Sequence, residues 1–479
     1  MELIPHVIDG AYTESADGAR FDSVDPWTRR PWARVAAGGP EDAARAVAAA
    51  RRAFDEGPWP RMGRAERGGL LHRLADLILS RARELALADT TDMGRPISDA
   101  QGSDVPRAAL NLRFFADHAR LATADALPMD SWHHACTRFE PAGVVAAIAP
   151  WNFPLMLETW KVAPALAWGN TVVLKPAEGT PASATLPATL ALEAGFPPGV
   201  LNVVQGYGPD AAGAALTADP RVDRITFTGE SGTGRAISAA AAANLTPVSL
   251  ELGGKGANLV FADADLPAAV DWSIRAIFSN AGQVCLAGSR LYVQRQTHGE
   301  FVDRFCAAAE ALVIGDPKDR ATQFGPLASA GHYRRVRSYV DAVEDQGGKI
   351  LTGGLGDGWV VRPTVVVDAP ADAPVSREEI FGPVVVVRPF DTEQEAVAAA
   401  NDTRYGLNAM VFTENLSRAH RVAAALRAGT VWANCFFVRD LRAPYGGVGE
   451  SGVGREGGNF SRDFFTEPKA VMMAISDQP

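Results

Sequence analysis

Residues 143–176 read GVVAAIAPWNFPLMLETWKVAPALAWGNTVVLKP, with a short apolar run at each end and a segment of helical length between them. Apolar runs without polar alternation are typical of strands that are buried on both faces of a parallel sheet. Similar short apolar runs occur in VLNVVQG at 200–206 and RITFTG at 224–229. Because parallel strands need a crossover, usually a helix, these runs predict an α/β fold with a parallel sheet over residues 142–250.

A second region of alternating strands and helices covers residues 251–445. Its apolar runs are ANLVF, RLYVQ, PTVVV, PVVVVRPF, NAMVFT and GTVWANC, and they predict a separate α/β domain. The first 120 residues are mostly helical in pattern, as in RAERGGLLHRLADLILSRARELALADT. Residues 132–143 and 463–475 fit neither region, and we expect them to form extended arms that pair between subunits.

The composition narrows the possible partners. The chain has 479 residues and a formal net charge of −10, so it offers no global positive field to nucleic acid or to an anionic membrane. No secretory signal is apparent, and no apolar run approaches the ~18 residues that cross a bilayer. Four cysteines are too scattered for a disulfide framework or a metal site. We therefore expect a cytoplasmic protein that binds a small molecule and no metal, nucleic acid or membrane.

The segment SNAGQVCLAGSR at 279–290 places Cys285 among small residues. A catalytic cysteine needs access and room for a substrate carbonyl beside its sulfur, and glycine and alanine neighbours provide that room. The alternative is a small buried thiol, the common state of a free cysteine, and Cys136, Cys306 and Cys435 are assigned to it. On this segment alone both interpretations of Cys285 stay open.

Two further polar residues stand at the ends of apolar segments. Glu251 ends an apolar strand in VSLELGGK, where burial would raise the pKa of its carboxyl group and suit it to general-base catalysis. A carboxylate that is paired with a basic group or turned outward is the alternative. Asn152 lies at a strand-to-helix junction in IAPWNFP, where its amide can donate to an oxyanion or cap the following helix.

Two segments are candidates for cofactor binding. Lys175 and Glu178 follow a strand in TVVLKPAEGTP, where they are placed to bind ribose or phosphate, although solvated loop charges are the alternative. Gly229 ends another strand in ITFTGESGTGRAI, and its glycines allow a phosphate to approach the backbone at a helix N-terminus. The segment lacks the Gly-Lys-Ser/Thr of a nucleotide-binding P-loop.

Seven motifs occur in a fixed order along the chain: PWNFP, KPAE, FTGE, LELGGK, GQVCLAGSR, EEIFGPV and YGGVGESGVGREGG. This set resembles the NAD(P)-dependent aldehyde dehydrogenase superfamily from end to end. The resemblance implies a Rossmann-like NAD-binding domain of residues 1–119 and 142–250 and an α/β catalytic domain of residues 251–446. It also implies a small β oligomerisation extension, built from arms at 120–141 and 463–479, and a homodimer or homotetramer.

The resemblance also assigns roles to individual residues. In family terms Cys285 is the nucleophile, Glu251 the general base and Asn152 the oxyanion donor. The residues that it assigns to cofactor contacts are Trp151, Lys175, Glu178, Gly229, Glu230, Glu379 and Phe381. The implied reaction oxidises an aldehyde to a carboxylate through a thiohemiacetal and a thioester on the cysteine. A general base at position 251 favours water over coenzyme A as the acyl acceptor.

Three segments give a more specific resemblance, to the 2-hydroxymuconic and 2-aminomuconic semialdehyde dehydrogenases: FTGE, VPRAALNLRFFADHA and NCFFVRDLRAPYGG. In relatives, arginines of the last two face the substrate tunnel, which points to Arg107, Arg439 and Arg442. Because a guanidinium fork matches a carboxylate, we expect an acidic semialdehyde such as 2-hydroxymuconic or 2-aminomuconic semialdehyde as substrate. The alternative is that these arginines form surface or subunit ion pairs.

NAD+ is the expected cofactor, rather than NADP+, because the Glu178 carboxylate would repel a 2′-phosphate. Two other enzyme functions fit parts of the pattern. One is a generalist or betaine-type aldehyde dehydrogenase with neutral or cationic substrates. The other, from a different class, is a thiol esterase that uses Cys285, Asn152 and Glu251 without a cofactor. A third hypothesis is a binding protein without enzymatic activity on the same fold. The presence of Cys285, Asn152 and Glu251 together argues against it.

Overall fold

The computed structural model describes residues 2–129 and 132–475. Residues 130, 131 and 476–479, which belong to the predicted arms, lie outside the described residues. The strands of the described part are β1 (Glu2–Ile4), β2 (His6–Ile8), β3 (Ala11–Thr13), β4 (Arg20–Asp25), β5 (Arg30–Ala36), β6 (Ala126–Leu127), β7 (His133–Pro141), β8 (Val144–Ile148), β9 (Thr171–Lys175), β10 (Leu201–Val203), β11 (Arg224–Thr228), β12 (Val248–Glu251), β13 (Ala257–Val260), β14 (Arg290–Gln294), β15 (Lys349–Leu355), β16 (Val361–Val367), β17 (Val384–Phe390), β18 (Asn408–Phe412), β19 (Thr430–Ala433), β20 (Gly452–Val453) and β21 (Thr466–Ala474). The helices are α1 (Pro40–Asp55), α2 (Arg64–Ser80), α3 (Ala82–Met93), α4 (Ile97–Asp99), α5 (Val105–Leu121), α6 (Pro154–Ala167), α7 (Ala182–Ala194), α8 (Ala212–Ala218), α9 (Ser231–Ala242), α10 (Leu266–Phe278), α11 (Arg295–Glu310), α12 (Ala330–Asp341), α13 (Pro374–Arg377), α14 (Glu393–Asn401), α15 (Leu416–Ala425) and α16 (Gly458–Phe465).

The opening strand–helix–strand segment lies at the centre of an eight-stranded sheet with the order β20-β12-β11-β8-β9-β10-β2-β3. Its five central strands are parallel, and the antiparallel pairings lie towards the edges. Along β8, Val145 and Ala147 pack into one apolar cluster while Val144, Ala146 and Ile148 pack into another. Because side chains alternate along a strand, both faces of the sheet are covered, which explains the continuous apolar runs.

A seven-stranded sheet follows, with the order β15-β16-β17-β14-β13-β18-β19. All its pairings are parallel except that between β15 and β16. The apolar runs of the second region form strands here, whereas β15 was not predicted because its sequence KILTGGL contains two glycines and no apolar run. The predicted α/β class, with a parallel sheet in each region, is confirmed.

The two expected arms meet in a three-stranded sheet with the order β21-β7-β6. Strand β21 runs antiparallel to β7 from the pair Thr466 and Pro141 to the pair Ala474 and His133. The arms are therefore extended and pair with each other within the chain, while pairing of these arms between subunits remains a prediction. The domain limits given above remain a prediction.

The N-terminal region differs from its predicted helical character. Residues 2–36 contain β1 to β5, of which β1, β4 and β5 form a small sheet and β2 and β3 extend the eight-stranded sheet. Three of these strands are only three residues long, too short to produce an alternating pattern in the sequence. Helices α1, α2, α3 and α5 follow as expected. Within residues 2–129 and 132–475 no helix is both long and apolar enough to span a membrane.

Candidate active site

Four predicted site residues stand at the carboxyl ends of parallel strands in the eight-stranded sheet. Asn152 follows β8, Lys175 ends β9, Gly229 follows β11 and Glu251 ends β12. In open α/β sheets this edge is the usual place for a ligand. The topology therefore brings together residues that are as many as 99 positions apart in the sequence, from Asn152 to Glu251.

The loop before Cys285 has an unusual backbone. Asn280, Ala281 and Gly282 have φ angles of 52°, 53° and 71°, in the left-handed region that non-glycine residues seldom adopt. The Asn280 side chain holds this conformation by donating to the backbone oxygen of Asn152 at 2.8 Å. The loop that carries Cys285, the predicted nucleophile, is thereby connected to the segment that carries the predicted oxyanion donor.

Cys285 is half-buried, and its sulfur lies 3.8 Å from the Tyr445 hydroxyl oxygen. Burial raises the pKa of the thiol to about 12. The nearby carboxyl groups of Glu379 and Glu251 raise this pKa further, whereas the Tyr445 hydrogen bond and the Arg439 charge lower it. In this environment the thiolate forms only with help from neighbouring donors and positive charge.

The Asn152 side chain is buried and donates from Nδ2 to the backbone oxygen of Gln283 at 2.9 Å. A side-chain amide has two N–H donors, so this bond leaves one for a substrate oxygen. Helix α6 begins at Pro154, and the residue that precedes it makes no side-chain capping bond. The alternative in which Asn152 caps this helix is therefore wrong.

Glu251 is only 3% exposed, and neither of its carboxyl oxygens has a hydrogen-bond partner among the described residues. Burial, followed by the neighbouring Glu456 carboxyl group, raises the pKa of Glu251 well above its usual value. A Cβ atom at Gly446 would lie 2.6 Å from Glu251 Oε1, so a larger residue at this position would have to displace the carboxyl group. Both alternatives for Glu251, an outward side chain and an ion pair, are wrong.

A buried polar network lies beside Glu251. Glu456 Oε1 accepts from Lys161 Nζ at 3.1 Å and from Thr226 Oγ1 at 3.2 Å. Its Oε2 accepts from Trp160 Nε1 at 2.5 Å. The sequence did not predict this network. A local sign of it is Glu456, an acidic residue inside the glycine-rich segment GGVGESGVGREGG.

The predicted ribose-binding residues lie together. Lys175 is buried, its Nζ donates to the backbone oxygen of Pro176 at 2.7 Å, and it lies 3.8 Å from an oxygen of the exposed Glu178. The backbone N–H of Gly229 donates to the backbone oxygen of Glu251 at 3.0 Å. This bond connects the predicted phosphate loop with the strand that ends in the predicted base.

Glu230 and Glu379 are joined through Arg335. The guanidinium of Arg335 lies 3.3 Å from Glu230 Oε1 and donates to the backbone oxygen of Glu379 at 3.2 Å. The Glu379 carboxylate accepts from the backbone N–H of Gly254 at 2.9 Å, and burial raises its pKa to about 7. Arg335, which the sequence reasoning did not single out, therefore links two predicted cofactor contacts.

Trp151 and Phe381 form an aromatic group with His332. The Trp151 and Phe381 rings meet edge to face at 5.2 Å, and the His332 ring lies 5.0 Å from Trp151. Burial lowers the pKa of His332 to about 4, so its imidazole is neutral near pH 7. Its Nε2 lies 2.8 Å from the backbone oxygen of Phe381, and because a carbonyl only accepts, Nε2 carries the proton.

The three predicted substrate arginines have different surroundings. Arg107 and Arg439 are half-buried, and neither has an acidic partner among the described residues. Burial, and then the charge of Arg439, lowers the pKa of Arg107 to about 10. Arg442 is 78% exposed and binds Asp440 at 2.5 Å. Its guanidinium forms an ion pair at the surface, so the structure does not support the prediction that Arg442 belongs to the substrate site.

Known proteins resemble the chain over nearly its whole length. The model of the aldehyde dehydrogenase family matches residues 12–471. The chain is 48% identical to the 2-hydroxymuconic semialdehyde dehydrogenase of Pseudomonas sp. strain CF600, over 99% of this chain and 100% of that protein. It is 44% identical to a 2-aminomuconic 6-semialdehyde dehydrogenase of Pseudomonas sp., over 100% of this chain and 99% of that protein. A solved NAD+ complex of an aldehyde dehydrogenase from Bacillus cereus matches with a TM-score of 0.97 and 41% identity, over 99% of this chain and 97% of that one. These matches confirm the fold class and the family that the motifs predicted, and the chain belongs to the aldehyde dehydrogenase family, whose members oxidise aldehydes.

Proposed function

We propose that this protein uses NAD+ to oxidise a carboxylate-bearing semialdehyde, such as 2-hydroxymuconic or 2-aminomuconic semialdehyde, to the corresponding dicarboxylate. The observation that carries the substrate class is the pair of half-buried arginines, Arg107 and Arg439, neither of which forms an ion pair with an acid among the described residues. Burial, and then the charge of Arg439, lowers the pKa of Arg107. Unpaired charges in a partly desolvated site are costly. A substrate carboxylate would remove that cost, and two of the similar proteins bear the names of semialdehyde dehydrogenases.

The cofactor proposal rests on the fit of the residues that would hold NAD+. Helix α9 begins at Ser231, and a Cβ at Gly232 would meet nothing within 4 Å, so its N-terminus has open space for a pyrophosphate. Glu178, which is exposed beside Lys175, can accept from ribose hydroxyls and would repel a 2′-phosphate. When bound, NAD+ accepts a hydride from the carbon that is being oxidised.

The chain's own residues supply the covalent chemistry. Cys285 attacks the aldehyde carbon as a thiolate, a carbon–sulfur bond forms, and the carbonyl electron pair moves to oxygen. The free amide hydrogen of Asn152, together with the backbone N–H of Cys285, stabilises this oxyanion. The left-handed turn before Cys285 and its bond to the Asn152 backbone fix the two groups relative to each other.

Hydrolysis of the thioester is assigned to Glu251. Its oxygens are buried and accept no hydrogen bond from any residue that the structure describes, so the carboxylate is available to take a proton from water as that water attacks the acyl carbon. The buried Lys161 and Glu456 lie close to Glu251, and the charge of Lys161 opposes the increase in the pKa of Glu251. The products are a carboxylate and the free cysteine.

The test measures discrimination between acidic and neutral aldehydes. We expect Arg107→Gln to lower kcat/KM for 2-hydroxymuconic semialdehyde by about ten- to hundredfold, the usual range for losing a charged hydrogen bond. For benzaldehyde, which has no carboxylate, kcat/KM should change by less than about threefold. Arg442→Gln is the matched control, because this arginine already has an acidic partner at the surface.

Three outcomes would contradict the proposal. Equal losses for both aldehydes in Arg107→Gln would show that the arginine does not recognise the carboxylate. A wild-type enzyme that prefers benzaldehyde or betaine aldehyde would favour the generalist or betaine-type alternative. Ester hydrolysis without any NADH formation from aldehydes would favour the thiol esterase.

A further inference from the structure

Tyr445 lies between the nucleophile and the arginine pair. Its hydroxyl oxygen is 3.8 Å from Cys285 Sγ, and within residues 2–129 and 132–475 this is the only hydrogen bond of that side chain. The guanidinium carbon of Arg439 lies 3.9 Å from the centre of the Tyr445 ring. The phenol therefore connects the sulfur with the residues that we assign to the substrate carboxylate.

The position of the phenol is tightly fixed. The backbone of Tyr445 exchanges two hydrogen bonds with Glu456, at 2.8 and 2.7 Å. Its ring packs beneath the Arg439 guanidinium and meets the Trp160 ring edge to face at 6.4 Å. A side chain held from both the backbone and the ring has little freedom to turn away from Cys285.

The direction of the hydrogen bond follows from the ionisation of the two groups. Burial raises the pKa of Tyr445 well above its usual value, and the charges of Cys285 and Glu251 raise it further, against the opposing charge of Arg439. The phenol therefore keeps its proton and is the donor. The sulfur is desolvated and faces the carboxyl groups of Glu379 and Glu251, so the thiolate is the form that a donor stabilises most.

We propose that Tyr445 is a catalytic residue whose hydroxyl donates a hydrogen bond to the Cys285 thiolate and so increases the fraction of sulfur able to attack the aldehyde. This inference rests on the proposed role of Cys285 as nucleophile. The thiol proton leaves to water, the sulfur then forms its bond to carbon, and the carbonyl electron pair moves to oxygen. Tyr445 keeps its own proton throughout and transfers no atom.

The test compares Tyr445→Phe with the wild-type enzyme in the alkylation of Cys285 by iodoacetamide across pH. The variant keeps the ring that packs against Arg439 and Trp160, so we expect it to fold. Tryptic digestion yields residues 276–290, which contain Cys285 and no other cysteine, and mass spectrometry of this peptide gives the rate for this thiol alone. Tyr12→Phe is the control, because Tyr12 is 62% exposed.

Two opposing effects set the expected size of the change. Loss of a hydrogen bond to a charged sulfur raises the pKa of the thiol by about one unit, which lowers the thiolate fraction about tenfold below that pKa. A more basic thiolate is about threefold more nucleophilic. The alkylation rate at a fixed pH near neutrality should therefore fall about threefold in Tyr445→Phe and stay unchanged in Tyr12→Phe.

The outcomes separate this inference from the proposed function. A purely structural role of Tyr445 would loosen the loop and speed alkylation at every pH, so an equal or faster rate in Tyr445→Phe overturns the inference. Wild-type enzyme alkylated at Cys285 should form no NADH from aldehyde. If it retains that activity, the nucleophile assignment fails and the inference fails with it. If it is inactive while the two rates agree, only the role of Tyr445 is refuted.

Discussion

Replacement of Glu251 by glutamine should separate the two halves of the reaction. The substitution keeps the size and shape of the side chain but removes the carboxylate that we propose takes a proton from water. Attack by Cys285 and the oxidation step do not need this group, so the first turnover should proceed and leave a thioester on the enzyme. Hydrolysis of that thioester should then limit the rate.

The size of the effect follows from the surroundings of Glu251. General-base catalysis contributes about 10²- to 10⁴-fold, or about 3–5 kcal/mol of barrier, and no other buried acid among the described residues stands unpartnered at this strand end. The fold should tolerate the change because two effects oppose each other. A neutral amide removes the desolvation and the repulsion from Glu456, while its N–H groups lack acceptors, at a cost of about 1–3 kcal/mol.

The assay is stopped-flow detection of NADH. Wild-type enzyme should show steady formation, and Glu251→Gln should show a burst close to one NADH per subunit followed by a rate about 10²- to 10⁴-fold lower. The wild-type steady rate should also rise with pH, because the raised pKa of Glu251 keeps it protonated at low pH, and the variant should lose this dependence. Glu193→Gln, at an exposed acid, is the control. A steady rate in Glu251→Gln within about tenfold of wild type would refute the general-base assignment.

Three further predictions concern the cofactor, stability and assembly. Glu178→Gln should raise kcat/KM for NADP+ about tenfold or more relative to NAD+, because the repulsion of a 2′-phosphate is lost; an unchanged ratio measured by initial rates would contradict the ribose assignment. Burial raises the pKa of Asp89 from 3.8 to about 8, so between these values the folded protein binds more protons than the unfolded chain and stability falls as pH rises, by at most about 1.4 kcal/mol per pH unit. Urea unfolding at pH 5 and pH 8 should therefore show a smaller decrease for Asp89→Asn than for wild type or for the exposed control Asp303→Asn, and equal decreases would exclude this effect. Strand β21 lies at a sheet edge with Met472 66% exposed, so we expect this edge to pair between two copies of the protein. Met472→Asp should then shift the mass measured by light scattering towards that of the monomer. A wild-type protein that is already a monomer would contradict this expectation.

The parts of the fold that follow local patterns were predictable. Strands β8 and β9 could be predicted because every residue in them is buried, so the sequence shows unbroken apolar runs. Strands β1 to β3 could not be predicted in this way, because each has only three residues. The partner of β21 was also hidden, since no local pattern says whether an extended arm meets its own chain or another.

The site shows the same division between local and distant information. Cys285, Glu251 and Asn152 lie in distinctive local segments, and the motif order made them the candidate catalytic residues. Tyr445 approaches the sulfur across 160 positions of sequence, and only the fold brings the two together. Arg439 and Arg442 are three positions apart but have different partners. A local signal for that difference was Asp440, which precedes Arg442 by two residues and binds both its backbone N–H and its guanidinium.

The pair of Arg107 and Arg439, neither of which forms an ion pair within residues 2–129 and 132–475, has a consequence for the resting enzyme. Two like charges without an acid lower the free energy of unfolding, so loss of Arg107 should make the protein more heat-resistant and less selective, an exchange of stability for function. The dicarboxylate product that we propose should have the reverse effect when it neutralises the pair, raising the melting temperature more the more tightly it binds. The product would thereby be both a stabiliser and a competitive inhibitor, and its accumulation would slow the enzyme while protecting it from unfolding.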